Sequence, residues 1–227
     1  MKRWILLLTA LATHLFCSGF NFVELGNQST LRSLVFLPGK LSVQDVQTIS
    51  RRLELRTCEL ENQYIVEGVT LGHLDLEHGG TVLSVVCDDS LDARQTQDQI
   101  ADTLPQKAQF LFTGKSIYSK PVLDDDTSAL YFLKVSYFNR KDHLKALGSL
   151  HDKLNRYSFH VVNRLIPNQS LVIPTPSRVT LMYFENDQAY EKLRENTKLW
   201  QEIKSFNQRY LRSYAYIPLR LVPNSKL

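Results

Sequence analysis

Cysteine is scarce in this 227-residue chain, and its three positions, Cys17, Cys58 and Cys87, form no zinc-type set with histidine. Charge of one sign is scarce too. The chain has 27 Lys and Arg against 23 Asp and Glu, a formal charge of +4. So slight an excess gives no electrostatic drive toward nucleic acid. Like charges never run five or six together, which excludes a charged interaction tail. No Gly-x-Ser-x-Gly elbow and no Gly-rich phosphate loop occur. Gly114-Lys115-Ser116 echoes the end of such a loop, but it lacks the upstream glycine and lies between strand-like runs. No Gly/Ser-rich linker or low-complexity stretch divides the chain, so it reads as one domain or two lobes sharing a core. Nothing in it calls for a metal or a cofactor.

The one marked apolar run is at the start. Lys2 and Arg3 precede the run Trp4–Phe16, which is interrupted by His14. A membrane-spanning helix needs roughly 20 apolar residues. This run has the dimensions of a signal-peptide core, and Ser18-Gly19 supply small residues before a cut at Phe20. The expectation is a signal peptide over 1–19 and a folded chain over 20–227, exported to a periplasm or secreted; an uncleaved anchor is the alternative. Cleavage removes Lys2 and Arg3 and leaves a charge of +2. It also removes Cys17. Cys58 and Cys87 then form either a disulfide or two buried thiols; an oxidising compartment favours the first. Asn27-Gln28-Ser29 and Asn168-Gln169-Ser170 match the N-glycosylation pattern.

Periodicity predicts a mixture of strands and helices. Leu31–Pro38 reads as a strand closed by Pro38-Gly39. Ser42 heads a helix with Asp45 completing a capping box and Val43, Val46, Ile49 and Leu53 on one face. Strands follow at Tyr64–Leu74 and Thr81–Cys87, then a helix capped by Ser90 or Asp92. Gln109–Phe112 and Leu130–Phe138 are strands, and Lys141–Leu154 is an amphipathic helix. Leu171–Ile173, Arg178–Phe184 and Tyr214–Val222 are strands, with a helix over Asp187–Phe206. Short connections favour α+β with a largely antiparallel sheet over a doubly wound parallel one. Tyr210, Tyr214 and Tyr216, interleaved with Arg209, Arg212 and Arg220, fit a solvated edge better than a nucleic-acid surface.

A repeat is visible. Strand, helix and a strand carrying Val69-Thr70-Leu71 are matched by strand, helix and a strand carrying Val179-Thr180-Leu181, 110 positions on. This order, with Gly68-Val69-Thr70-Leu71 and Arg178-Val179-Thr180-Leu181, resembles the two-histidine (2H) phosphoesterases, the group of the bacterial 2′–5′ RNA ligases. The resemblance implies two pseudosymmetric βαβ-containing lobes, about 31–112 and 130–222, around a central cleft.

Both positions at which that family carries its catalytic histidine are changed, to Gly68 and Arg178. Glycine has nothing to titrate, and arginine stays protonated and cannot act as a base. The resemblance therefore implies a scaffold without its acid–base pair. Thr70, Thr180 and Arg178 would remain as a site for a phosphorylated or other anionic ligand. A relocated base would restore a cyclic phosphodiesterase. His73 is the candidate, although strand alternation turns it away from Thr70. His151, on a helix beside Leu150 and Leu154, reads as packed or surface-exposed. The third possibility is an unrelated exported α+β interaction protein.

Overall fold

The computed structural model describes residues 31–68, 71, 72, 74, 76–88, 92–119, 128–139, 143–171 and 174–223. The signal-peptide segment, Asn27, Thr70 and His73 lie outside the described residues.

The chain is α+β and its sheet is antiparallel throughout. Strands β1 (Leu31–Leu37), β2 (Cys58–Val66), β3 (Leu71–Gly72), β4 (Thr81–Cys87) and β5 (Phe110–Ser119) come first. Helix α1 (Val43–Glu54) follows β1, and α2 (Ala93–Thr103) precedes β5. The second half has β6 (Leu130–Phe138), α3 (His143–Leu154), β7 (Phe159–Ser170), β8 (Arg178–Phe184), α4 (Asp187–Glu195), α5 (Thr197–Tyr210) and β9 (Leu211–Val222). The sheet order is β2-β4-β1-β5-β7-β8-β6-β9-β3, and a further β2–β9 pairing joins its ends into a ring. Within the first half the order is β5-β1-β4-β2; within the second it is β9-β6-β8-β7. The halves meet at the β5–β7 and β2–β9 seams.

Alternation along the strands divides the apolar residues between two surfaces. One face of each strand fills the ring: Leu34, Phe36, Tyr64, Phe112, Tyr131, Leu133, Val179 and Ile217 belong to that core. The other face meets helices. In the first half, Val35, Leu37, Leu83, Val85 and Leu111 pack under Ile49 and Leu53 of α1 and Ile100 of α2. Burying each such side chain contributes about 1.5–3 kcal/mol. The second half uses Met182 and Phe184 against Leu150, Leu154, Leu193, Leu199 and Phe206.

Helix starts follow the chemistry expected of them. The Ser42 hydroxyl accepts from the Asp45 amide at 3.1 Å while Asp45 returns the bond to the Ser42 amide at 3.1 Å. Asp92, rather than Ser90, caps α2. Val43 is 66% exposed, so the buried stripe of α1 is Val46, Ile49 and Leu53.

Four expectations need correction. The strand expected at Tyr64–Leu74 begins earlier, at Cys58, and ends at Val66; Gly68 at φ +84° and Gly72 at φ +118° then take conformations that favour glycine. β5 continues to Ser119, so Gly114-Lys115-Ser116 lies within a strand. A Cβ on Gly114 would come within 2.0 Å of the Ile166 carbonyl oxygen, and this close approach sets the β5–β7 seam. β7 was not expected, because its polar interruptions and Pro167 hid it; of the strand expected at Leu171–Ile173, residues 172 and 173 lie outside the described residues. The helix expected over Asp187–Phe206 is two: Asn196 ends α4, and its side chain accepts from the Leu199 amide at 3.0 Å to start α5.

Cys58 and Cys87 face each other across β2 and β4 and are joined by a disulfide. Both are buried on the helix side of the first half. Among the described residues no helix is long and apolar enough to cross a membrane.

Candidate functional site

The two halves fill the space between sheet and helices differently. In the first half it is occupied by aliphatic side chains and the cystine. In the second it holds a cavity of about 690 Å³ between the sheet and helices α3, α4 and α5.

Alternation determines what faces that cavity. The odd residues of β6, from Tyr131 to Tyr137, point into the ring core. The even ones, Phe132, Lys134, Ser136 and Phe138, line the cavity. On β8 the even set is Arg178, Thr180, Met182 and Phe184. Antiparallel register places Ser136 opposite Arg178 and Lys134 opposite Thr180. Two cations and two hydroxyls therefore form a square on the sheet, with each like pair on a diagonal. The expected site residues Arg178 and Thr180 thus share one face of one strand and one cavity.

The cations are held by groups that do not neutralise them. Lys134 Nζ donates to Asn207 Oδ1 at 2.8 Å and lies 4.9 Å from the Tyr216 ring centre and 5.6 Å from that of Phe206. The Arg178 guanidinium lies 5.3 Å from the Phe138 ring centre. Arg178 is only 7% exposed, and its Nε is buried with no hydrogen-bond partner among the described residues. Burial, assisted by Arg164, pushes the Arg178 pKa down to about 10, so the side chain remains a cation near neutrality. Among the described residues, no aspartate or glutamate lines the cavity.

His151 was expected to be packed or surface-exposed, and it lines the same cavity from α3. Arg164 Nη2 donates to its Nδ1 at 2.5 Å, which leaves the ring proton on Nε2. Burial first, then Arg164, Lys134 and Arg178, lower the His151 pKa to about 3. The folded chain therefore keeps the ring neutral, whereas the unfolded chain protonates it below its ordinary value of 6.5. The stability this contributes is complete above pH 6.5 and is lost as pH falls toward 3. Urea midpoints measured from pH 7 to pH 4 should fall. A His151→Gln variant should lose about one proton's worth of that slope, ~1.4 kcal/mol per pH unit at most. Parallel slopes would mean that His151 is not held neutral.

Gly68 follows β2, and a Cβ there would lie 3.6 Å from Pro218 Cγ. His160 sits away from the cavity, paired with Glu185 at 2.9 Å and stacked on Tyr183. Lys134 was missed by sequence reasoning. Its signal was a lysine and a serine at alternate positions of an otherwise apolar strand, Leu-Tyr-Phe-Leu-Lys-Val-Ser-Tyr-Phe.

The chain matches no protein-family model and no curated protein. Solved structures do resemble it. An anthrone oxidase-like protein superposes with a TM-score of 0.59 at 10% identity, covering 86% of this chain and 92% of that one. A candidate monooxygenase from Fusobacterium nucleatum gives 0.47 at 8% identity, covering 86% and 94%. One from Lactobacillus acidophilus gives 0.42 at 14% identity, with the same coverage. The first likeness is one of fold alone, and the other two are too loose to support an argument.

Proposed function

We propose that this chain is an exported binding protein that takes a small amphipathic anion into the cavity of its second half. The observation that carries the reading is Arg178: a guanidinium 7% exposed, on the wall of a cavity that no carboxylate lines among the described residues. A buried charge needs a partner of opposite sign. The ligand is the partner this site provides for. The surrounding Phe, Leu and Met side chains suit an apolar body.

Two further features support the larger picture. The matching strand orders of the two halves favour two like lobes, one with its helix–sheet space filled and one with it open. The buried cystine and the signal-like N-terminus favour a site of action outside the cytosol. The 2H resemblance assigns phosphate contacts to Arg178 and Thr180, and both are available at the cavity. With Gly68 and Arg178 in place of histidines, binding fits these residues better than turnover.

Trp200 lines the cavity and reports its occupancy. In a Trp4→Phe background it is the only indole. Titrating dodecanoate below its micellar concentration should change Trp200 emission saturably, while 1-dodecanol should bind far more weakly. No saturable change, or equal binding of the alcohol, would refute an anion site.

A further inference from the structure

We propose, building on the anion reading above, that the ligand's head is a tetrahedral dianion, the phosphate monoester of an apolar alcohol. The argument starts from charge. Of the Lys and Arg side chains that line the cavity, Lys204 and Arg212 are exposed, whereas Arg178 and Lys134 are the two that are not. Among the described residues no acidic side chain lines the space these two share. A carboxylate would neutralise one and leave the other uncompensated. A phosphate monoester carries close to two negative charges at neutral pH.

Geometry makes the same selection. The cations sit on one diagonal of the sheet square and the Ser136 and Thr180 hydroxyls on the other. Four donors at four corners match an anion with several oxygens spread in three dimensions better than a flat carboxylate with two. Arginine's planar fork engages two phosphate oxygens at once, and lysine serves as a point charge. Lys134 is steered into place by Asn207 and the Tyr216 ring. Beyond the square the walls turn apolar, with Leu147, Leu150, Leu154, Met182 and Ile203, and these take the alcohol part.

Other ionisable groups surround the head: His151 on α3 with Arg164 on β7, Tyr190 on α4, Lys204 on α5, and Arg212, Tyr214 and Tyr216 on β9. A ligand that keeps one charge throughout controls for all of them. Dodecyl sulfate is tetrahedral and stays a monoanion, whereas dodecyl phosphate loses its second proton at about pH 6.

Calorimetric titration of the full chain with dodecyl phosphate, dodecyl sulfate, dodecanoate and inorganic phosphate at pH 5.0 and 7.5 tests the proposal. At pH 7.5 dodecyl phosphate should bind at least tenfold more tightly than the sulfate or the carboxylate, and at pH 5.0 that advantage should shrink. Lys134→Met should bring phosphate down to the level of the other two. Inorganic phosphate should bind weakly and compete. Equal affinity for all three amphiphiles at pH 7.5 would overturn the dianion proposal while leaving the amphipathic-anion reading intact. Inorganic phosphate binding as tightly as dodecyl phosphate would overturn the apolar alcohol. If no amphiphile binds, both readings fall.

Discussion

Replacing Arg178 with methionine should weaken anion binding on the order of 100-fold and make the protein harder to unfold. The two effects have one cause. The guanidinium is buried against Phe138 with no carboxylate partner among the described residues, and its Nε donor is unmet among them. Burying an unpaired cation costs free energy that only a bound anion returns. Methionine fills comparable space, remains in contact with an aromatic ring and needs no partner. The variant should gain about 1 kcal/mol, since even complete buried ion pairs are often replaced by apolar groups at a profit. In a domain of this size that raises Tm by roughly 2–4 °C. Anion affinity should fall on the order of 100-fold, the loss expected for a charge-assisted contact of about 1.5–3 kcal/mol. Thermal melts with and without dodecanoate measure both. A methionine variant destabilised by more than about 2 kcal/mol would show that Arg178 serves the fold, outside the usual penalty-free range for such swaps.

Removing the cystine separates stability from binding. Cys58 and Cys87 are 29 residues apart in sequence, and the chain entropy of closing such a loop gives about 3–4 kcal/mol. A Cys58→Ala/Cys87→Ala variant should therefore melt roughly 10 °C lower. Its two truncated side chains lie beneath α1 in the first half, while the cavity lies under α3, α4 and α5. Below the melt its Trp200 titration should match that of the parent. If affinity falls in the variant, the two halves are coupled through the β5–β7 and β2–β9 seams.

Much of the local structure was legible because it depends on neighbours in sequence. The Ser42–Asp45 box and the Asp92 cap are signals three residues long. The apolar stripe Val46, Ile49, Leu53 has its own period. β7 was hidden because its regularity comes from its partners: β-bulges at Val161/Asn163 and around Gly114 break the alternation that a single strand would show. The division at Asn196 was hidden because one asparagine ends one helix and starts the next without a loop. At the site, Arg178 and Thr180 were found through a three-residue repeat. Lys134, Ser136 and His151 needed the register of β6 with β8 and the position of α3 above them. No spacing in the sequence brings residue 134 opposite residue 180.

Opposite Thr113 and Gly114, β7 carries an extra residue, Asn168, and this bulge bears on how the molecule behaves at high concentration. β7 pairs with β8 only as far as Leu165↔Val179, and beyond that point its partner among the described residues is β5. Ile166 and Leu171, 40% and 49% exposed, sit on this stretch. An exposed apolar strand edge is a template for joining another chain. Pro167 offers no amide to such a neighbour, and Asn168, skipped in the β5 register, interrupts the ladder with a bulge. Pro167 and Asn168, which helped to hide the strand in the sequence, should therefore also discourage its edge from joining another chain.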